Sequence, residues 1–408
     1  MLDHSYESAL KKLEAFSQTH LLKYYGELAP AEREVLLKQI AETDFSVVHT
    51  GKTDAERGII SPIPVTELDE IASRRGEFFS AGMDEIRAGR VGAVLLAGGM
   101  GTRLGSDAPK GVYNIGITKE LYIFECLFNN LMDITRQAGG SVHLFIMTSD
   151  KNHEATVGFL KEKAFFGYDE SYVHFFMQEM APASDYTGKV YLEEKWKIST
   201  SPNGNGGWYS SMAKWGMLDI VKESGIEWLN VFAVDNVLQR IADPVFIGAT
   251  KIAGCSVGSK VIKKAEPNER VGVMCLEDGR PSIVEYYELT DEMRSAVNED
   301  GKPAYNFGVI LNYLFRVGEL NEIMNAKLPM HIVEKKIPCL DENGEKVEPE
   351  APNGYKFETL ILDMIHLLNG CMVFEVLREK EFAPIKNKTG VDSVESAREL
   401  LKKNGVEL

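Results

Sequence analysis

The period of the apolar positions changes near residue 91. Before it, apolar residues recur at helical intervals: Tyr6, Leu10, Leu13 and Phe16 fall on one face. Pro30 suits the first turn of a second helix that carries Leu36 and Ile40. Ser61-Pro62-Ile63-Pro64 reads as a break. A third helix holds Phe78, Phe79 and Ile86 and ends near Gly89. Beyond it, short apolar runs alternate with helical stretches. Buried strands are predicted over 91–97, 142–148, 172–177 and 229–234, with a helical stretch containing Phe159, Leu160 and Phe165 between the second and third. This alternation predicts a largely parallel sheet with helices on both faces. Three runs over 256–262, 271–276 and 282–286 lie close together, and Glu277-Asp278-Gly279-Arg280 reads as a hairpin turn between the last two, so the sheet is expected to be mixed. An amphipathic helix over 357–368, a strand over 372–377 and a short charged helix from Ser393 complete the pattern.

Composition narrows the class. The chain has 408 residues, 44% hydrophobic and 26% charged, ordinary values for a globular protein. A formal charge of −16 argues against nucleic acid or an anionic membrane as partner. No apolar run approaches the ~20 residues that span a bilayer, and no charged-then-apolar leader is seen. The cytoplasm is the expected location. The five cysteines are far apart, form no CxxC pair and mostly sit in apolar runs, so they read as buried free thiols. The histidines show no metal-ligand spacing.

The candidate chemistry sits where the first of these strands ends, in Leu96-Ala-Gly-Gly-Met-Gly-Thr-Arg-Leu-Gly105 with Pro109-Lys110-Gly111 behind it. Glycines let bare backbone amides approach phosphate oxygens, and Arg103 and Lys110 add positive charge. A Walker A loop does not fit, because its spacing is absent here, and Gly51-Lys52-Thr53 has Ser46 at the first glycine position and reads as a polar loop. A dinucleotide fingerprint fits poorly, because Leu104 takes the third glycine position; Glu120 and Glu125, near the distance of its acidic partner, lie in a stretch that reads as helix. The nucleotidyltransferase signature, a strand followed by L-x-G-G-x-G-T-R-L and a later Pro-Lys, is present in full. Ligands in such sheets collect at the carboxyl ends of strands, and Asp235-Asn236 marks a second such end. A carboxylate there can hold a magnesium ion that bridges phosphates, or can cap a helix.

Many separated motifs carry a further resemblance, in one order. They are LAGGMGTRLG with PKG, FFMQ (175–178), GKVYLEEK (188–195), PNGNGGWY (202–209), VDNVL (234–238) and ADPVFIG (242–248). VGVMC (271–275), IVEYYE (283–288), KKIP (335–338), PNGYKFE (352–358) and VFEVLREKEFAPIKN (373–387) follow. From about Val91 to Lys388 the chain resembles the eukaryotic-type UDP-sugar pyrophosphorylases, and within them the UDP-N-acetylhexosamine pyrophosphorylases.

The resemblance implies a Rossmann-like nucleotidyltransferase core with a mixed, mostly parallel sheet. The expected organisation is a helical N-terminal region over 1–90, a catalytic domain over 91–388 and a helical tail over 389–408. The implied reaction joins UTP and a sugar 1-phosphate into a UDP-sugar and pyrophosphate, with Mg2+. Arg103, Lys110 and Lys386 are the expected catalytic residues. Leu96, Ala97, Gly98, Gly99, Lys110, Gln178, Gly204, Asp235 and Lys356 are expected at the nucleotide, and Asp235 at the metal. Asn205, Glu285, Tyr286 and Asn306 match sugar-binding positions. Phe307 stands where acetylhexosamine enzymes more often have a small residue, which leaves glucose or galactose 1-phosphate as the rival substrate. The chain stops at Leu408, where eukaryotic members carry a further domain, so a compact, monomeric, bacterial-type version is expected.

Overall fold

The computed structural model describes residues 5–49, 57–299, 301–324, 326 and 328–408; Gly51-Lys52-Thr53 lies outside them. Two compact units emerge, neither continuous in sequence: Met1–Glu56 with Glu179–Gly207 and Lys327–Ile361, and Arg57–Gln178 with Trp208–Ala326 and Leu362–Leu408.

The larger unit is built on a 10-stranded mixed sheet. Its strands are β1 (Ile60–Ser61), β2 (Val91–Leu96), β3 (His143–Thr148), β4 (Val173–Met177), β5 (Trp228–Ala233), β6 (Val257–Lys263), β7 (Val273–Glu277), β8 (Arg280–Val284), β9 (Phe307–Arg316) and β10 (Cys371–Glu375). The order is β1-β7-β9-β5-β2-β3-β4, with β6 joining β9 to β10 and β8 pairing with β7. Parallel pairing links β5, β2, β3 and β4, and separately β6 and β10; β1, β8 and β9 run against the rest. Every residue of β2 is buried, the continuous apolar run expected of a parallel strand covered on both faces. The turn from β7 to β8 holds Asp278 and Gly279 at φ 49° and 75°, the positive angles of a two-residue hairpin turn.

Helices cover the sheet. Leu68–Arg87 and Pro244–Ile252 cross backbone against backbone. A Cβ added to Gly82 would lie 1.9 Å from the Pro244 carbonyl oxygen, and one on Gly248 1.8 Å from that of Phe78. Ile123–Ala138 buries Phe124, Leu127, Phe128 and Leu131 in the same core. The tail helix is Val394–Lys403, N-capped by Ser393, whose hydroxyl accepts from the Ser396 amide.

The smaller unit packs the helices Tyr6–Ala15 and Pro30–Glu42 on a core of Leu13, Leu36, Ile40, Phe45, Val190, Ile198 and Phe357. It holds a three-stranded sheet of His331–Lys335, Gly354–Glu358 and Ser184–Asp185.

Three local expectations are corrected. The helix predicted over 357–368 starts only at Ile361, because Phe357 lies in the strand Gly354–Glu358, paired in register with Ile332. The strand predicted over 282–286 is shifted to Arg280–Val284, since the tight turn fixes its register and leaves Glu285 and Tyr286 beyond the sheet. Ser61, the first residue of the expected break, instead closes the two-residue strand β1, which pairs with the end of β7. All five cysteines are free, with Cys126, Cys275 and Cys339 buried. Among the described residues, no helix is long and apolar enough to cross a membrane.

Candidate active site

The carboxyl ends of β2, β3, β4 and β5 share one edge of the sheet, and the glycine-rich turn is folded back along it. Ala97 donates its amide to the Met147 carbonyl at 2.8 Å. Past it, the Ser149 hydroxyl donates to the Gly98 carbonyl at 2.9 Å. Asn152 Nδ2 donates to the carbonyls of Ala97 and Gly99 at 2.9 and 3.3 Å. With their carbonyls tied down from behind, the turn is pre-shaped rather than loose. The Gly101 amide donates to the Ala108 carbonyl, and the Lys110 amide to that of Gly99 at 3.1 Å. These bonds bring Lys110 back beside the glycines. Ser149 and Asn152 were not among the expected site residues; their signal was a polar Thr-Ser-Asp-Lys-Asn stretch directly after a predicted strand.

Lys110 is 9% exposed. Burial pushes its ammonium below the ordinary lysine range, the Asp235 carboxylate works against that, and Arg103 and Lys386 add to the lowering. Those four charged groups therefore share one electrostatic neighbourhood. Arg103 is exposed on the turn Thr102–Leu104. Asp235 is half-buried just beyond β5. The segment with Lys386 is tied to it: the Ile385 amide donates to the Asp235 carbonyl at 2.8 Å. Asn236 Nδ2 donates to the Glu381 carbonyl at 2.8 Å, and its Oδ1 accepts from the Ala383 amide at 2.9 Å. Lys386 Nζ rests on Asp392 Oδ2 at 3.0 Å.

Gln178 follows β4, its amide donating to the Thr148 carbonyl. Its side-chain amide lies against Gly98, where any Cβ would collide with it. Leu96, Ala97, Gly98, Gly99, Arg103, Lys110, Gln178, Asp235 and Lys386 are thus gathered at one edge. The register extends that edge. Gly308 pairs with Val273, and Val273 with Val284, which places Glu285, at the end of β8, and Asn306, before β9, past the carboxyl end of β5. The Asn306 carbonyl accepts from the Lys264 amide at 2.9 Å. Tyr286 is exposed and packs edge-on against Tyr287.

Gly204, Asn205 and Lys356 belong to the other compact unit. Gly204 has φ +87° and stands where a Cβ would meet the Thr359 carbonyl oxygen at 2.2 Å. Asn205 Oδ1 accepts from the Ile361 amide at 2.9 Å, at the start of the helix Ile361–Leu367. Lys356 lies mid-strand, paired in register with Val333.

Among the described residues, no group of three or more His, Cys, Asp or Glu side chains is arranged to hold a metal ion. A lone carboxylate such as Asp235 does not make a resident metal cage. It does fit Mg2+, which keeps several waters and is held by one or two carboxylates plus substrate phosphates.

A cationic, glycine-rich strand end with a carboxylate opposite is equipped to bind a polyphosphate and stabilise charge during displacement at phosphorus. Comparison with known proteins agrees. The family profile UDPGP, described as UTP–glucose-1-phosphate uridylyltransferase, matches residues 68–406. The mouse UDP-N-acetylhexosamine pyrophosphorylase-like protein 1 is 36% identical over 93% of this chain and 80% of its own. The UDP-N-acetylglucosamine pyrophosphorylase of Saccharomyces cerevisiae is 33% identical over 97% of this chain and 86% of its own. Among solved structures, the uridine diphosphate N-acetylglucosamine pyrophosphorylase of Trypanosoma brucei, in complex with inhibitor, superimposes with a TM-score of 0.83 at 25% identity, covering 97% of this chain and 84% of that one. With the profile covering most of its length, this chain belongs to the UDPGP family and is a nucleotidyltransferase of the UDP-sugar pyrophosphorylase kind.

Proposed function

We propose that this enzyme makes UDP-N-acetylglucosamine or UDP-N-acetylgalactosamine and pyrophosphate from UTP and the N-acetylhexosamine 1-phosphate. A phosphate oxygen of the sugar attacks the α-phosphorus of UTP in line, and pyrophosphate leaves. The work of the protein is to bring two polyanions together and to offset the charge that grows on the leaving group. Arg103 and Lys110 hold the triphosphate against the turn, and Lys386 reaches the phosphates. Gln178 offers a donor and an acceptor together to the pyrimidine edge beside Gly98. Glu285, Tyr286 and Asn306 hydrogen-bond the sugar.

Magnesium belongs to this reading, with Asp235 as its protein ligand. When bound, Mg2+ neutralises phosphate charge. The partners are small anions, acting in the cytoplasm, without nucleic acid or membrane; the net charge of −16 supports that choice.

The observation that carries the proposal is buried Lys110 in the shared field of Asp235, Arg103 and Lys386, beside the glycine turn. Phe307, half-buried next to Asn306 with Lys263 Nζ 5.6 Å from its ring centre, favours a second reading, glucose or galactose 1-phosphate as substrate. Pyrophosphate release from UTP with N-acetylglucosamine, N-acetylgalactosamine, glucose and galactose 1-phosphates tests both. Fastest release with an acetylated sugar is expected. No release with any of them sinks the proposal.

A further inference from the structure

We propose that Lys260, Asp243 and Glu381 form a positioning device that sets Asp235 and Lys386 relative to each other. The three side chains are buried beneath the active edge, Lys260 with no exposed surface at all. Lys260 projects from β6, and its Nζ donates to Asp243 Oδ2 at 3.0 Å, to Glu381 Oε2 at 2.5 Å and to the Arg240 carbonyl at 3.4 Å. One ammonium thus joins three stretches of chain: a central strand, the segment leading from β5 into the helix Pro244–Ile252, and the short helix Arg378–Glu381.

The two carboxylates stand at the roots of the two segments that carry the site. Asp243 lies eight residues after Asp235, and Glu381 five residues before Lys386. Asn236 and Ile385 stitch the same segments together nearer the site, through the Glu381 carbonyl, the Ala383 amide and the Asp235 carbonyl. Asp243 is fixed further by accepting from the Val245 amide as helix cap. The loop between is pinned by the Asn230 side chain, which accepts from the Ala242 amide at 2.8 Å.

A buried ion cluster is a poor device for stability, because apolar side chains of similar volume commonly do as well or better. What apolar packing does not supply is direction. Two carboxylates aimed at one ammonium fix the separation and the tilt of the segments they stand on. None of the three side chains is among the expected substrate-binding groups, so their effect reaches the reaction through Asp235 and Lys386.

The inference rests on the proposed reading of those two residues as phosphate-handling groups. Its test compares wild type with Glu381→Gln, Lys260→Met and the charge-free variant combining Lys260→Met, Asp243→Asn and Glu381→Gln. Turnover is measured well below the melting temperature, with UTP and the best sugar phosphate, alongside melting curves and hydrogen exchange at the Ala383 and Ile385 amides. Lys260→Met leaves two carboxylates facing each other and is expected to unfold readily. Glu381→Gln keeps the Lys260–Asp243 pair and stays folded. In Glu381→Gln and in the charge-free variant, kcat is expected to fall on the order of 10- to 100-fold, the scale of a small misplacement. KM for UTP should stay within about twofold, as for an interaction felt mainly in the transition state. Exchange at both amides should quicken, and the charge-free variant should recover melting temperature without recovering kcat. A kcat within about twofold of wild type in these folded variants, or a kcat that returns together with the melting temperature, overturns the proposal. A wild type inactive with every sugar phosphate would instead refute the functional reading, and unchanged exchange in Glu381→Gln would then still refute the device on its own.

Discussion

Gly98 and the side-chain amide of Gln178 occupy adjoining space: a Cβ on Gly98 would sit 2.7 Å from Gln178 Nε2. The atom in the way is the far end of a flexible side chain, so Gly98→Ala is expected to displace the amide rather than unfold the protein. If Gln178 reads the pyrimidine, KM for UTP should rise about tenfold, equivalent to about 1.4 kcal/mol, with little change in melting temperature. Gln178→Ala should produce a similar rise, and the two changes together should not add, since both remove one contact. Steady-state kinetics on the three variants checks this; fully additive losses would separate Gly98 from Gln178.

Lys110 and Asp235 are coupled by charge. Burial already pulls the Lys110 ammonium below its ordinary value, and Asp235 opposes that pull. Removing the carboxylate charge in Asp235→Asn lets the amine lose its proton at a lower pH. The alkaline limb of the pH–rate profile should therefore shift toward neutrality in that variant, and its magnesium dependence should weaken. An unmoved alkaline limb would show that Lys110 does not carry the essential proton. Lys110→Ala should slow turnover by about a hundredfold or more while the melting curve stays near that of wild type.

The glycine turn was legible in sequence because its chemistry is local. Glycines, Arg103 and Lys110 all lie within 14 residues of the end of one apolar strand, Val91–Leu96. Asp235 was legible because it directly follows another. Asn152 and Ser149 were not, since what marks them is a bond to carbonyls some fifty residues away. The strand Gly354–Glu358 was hidden for a related reason. Phe357, Ile361, Met364, Ile365 and Leu368 fit a helical period, and only the distant partner His331–Lys335 makes the first of them a strand residue. Lys260 reads as one more charged residue in a β-rich run, and its two carboxylate partners lie 17 and 121 positions away.

The crossing of Leu68–Arg87 and Pro244–Ile252 predicts opposite outcomes for two glycines. Gly248 faces the Phe78 carbonyl at a distance no Cβ tolerates, and backbone cannot swing aside. Gly248→Ala should force the helices apart and destabilise by about 1–3 kcal/mol or more. Gly76, on the exposed face of the first helix, has open space around it. Gly76→Ala should stabilise by about 0.5–1 kcal/mol through reduced freedom of the unfolded chain. Urea midpoints of the two variants are the measurement. A neutral Gly248→Ala would mean the crossing is looser than its backbone contacts imply.

His143 and His174, side by side on β3 and β4, make stability depend on acidity. His143 Nδ1 and His174 Nε2 lie 2.9 Å apart and share one proton, while His143 Nε2 meets the Ser224 hydroxyl at 3.2 Å. Burial first, and the neighbouring imidazole second, push His174 down from 6.5 to about 4; burial lowers His143 as well. A depressed folded value means that the unfolded chain binds protons the native state refuses. The pair's contribution is complete above about pH 6.5, shrinks as pH falls below that value, and is gone once pH has passed below about 4. Carboxylates also titrate toward the acid end of this window, so the wild-type slope alone does not identify the pair. His174→Gln keeps a hydrogen-bonding side chain at the position but removes its titration. Its urea midpoint should fall less steeply than that of wild type between pH 6.5 and 4.5, with the two curves parallel from pH 7 to 8. Identical slopes through the acid window would show that the imidazole pair opens to water before it charges, and that the sheet edge there is not closed as the structure has it.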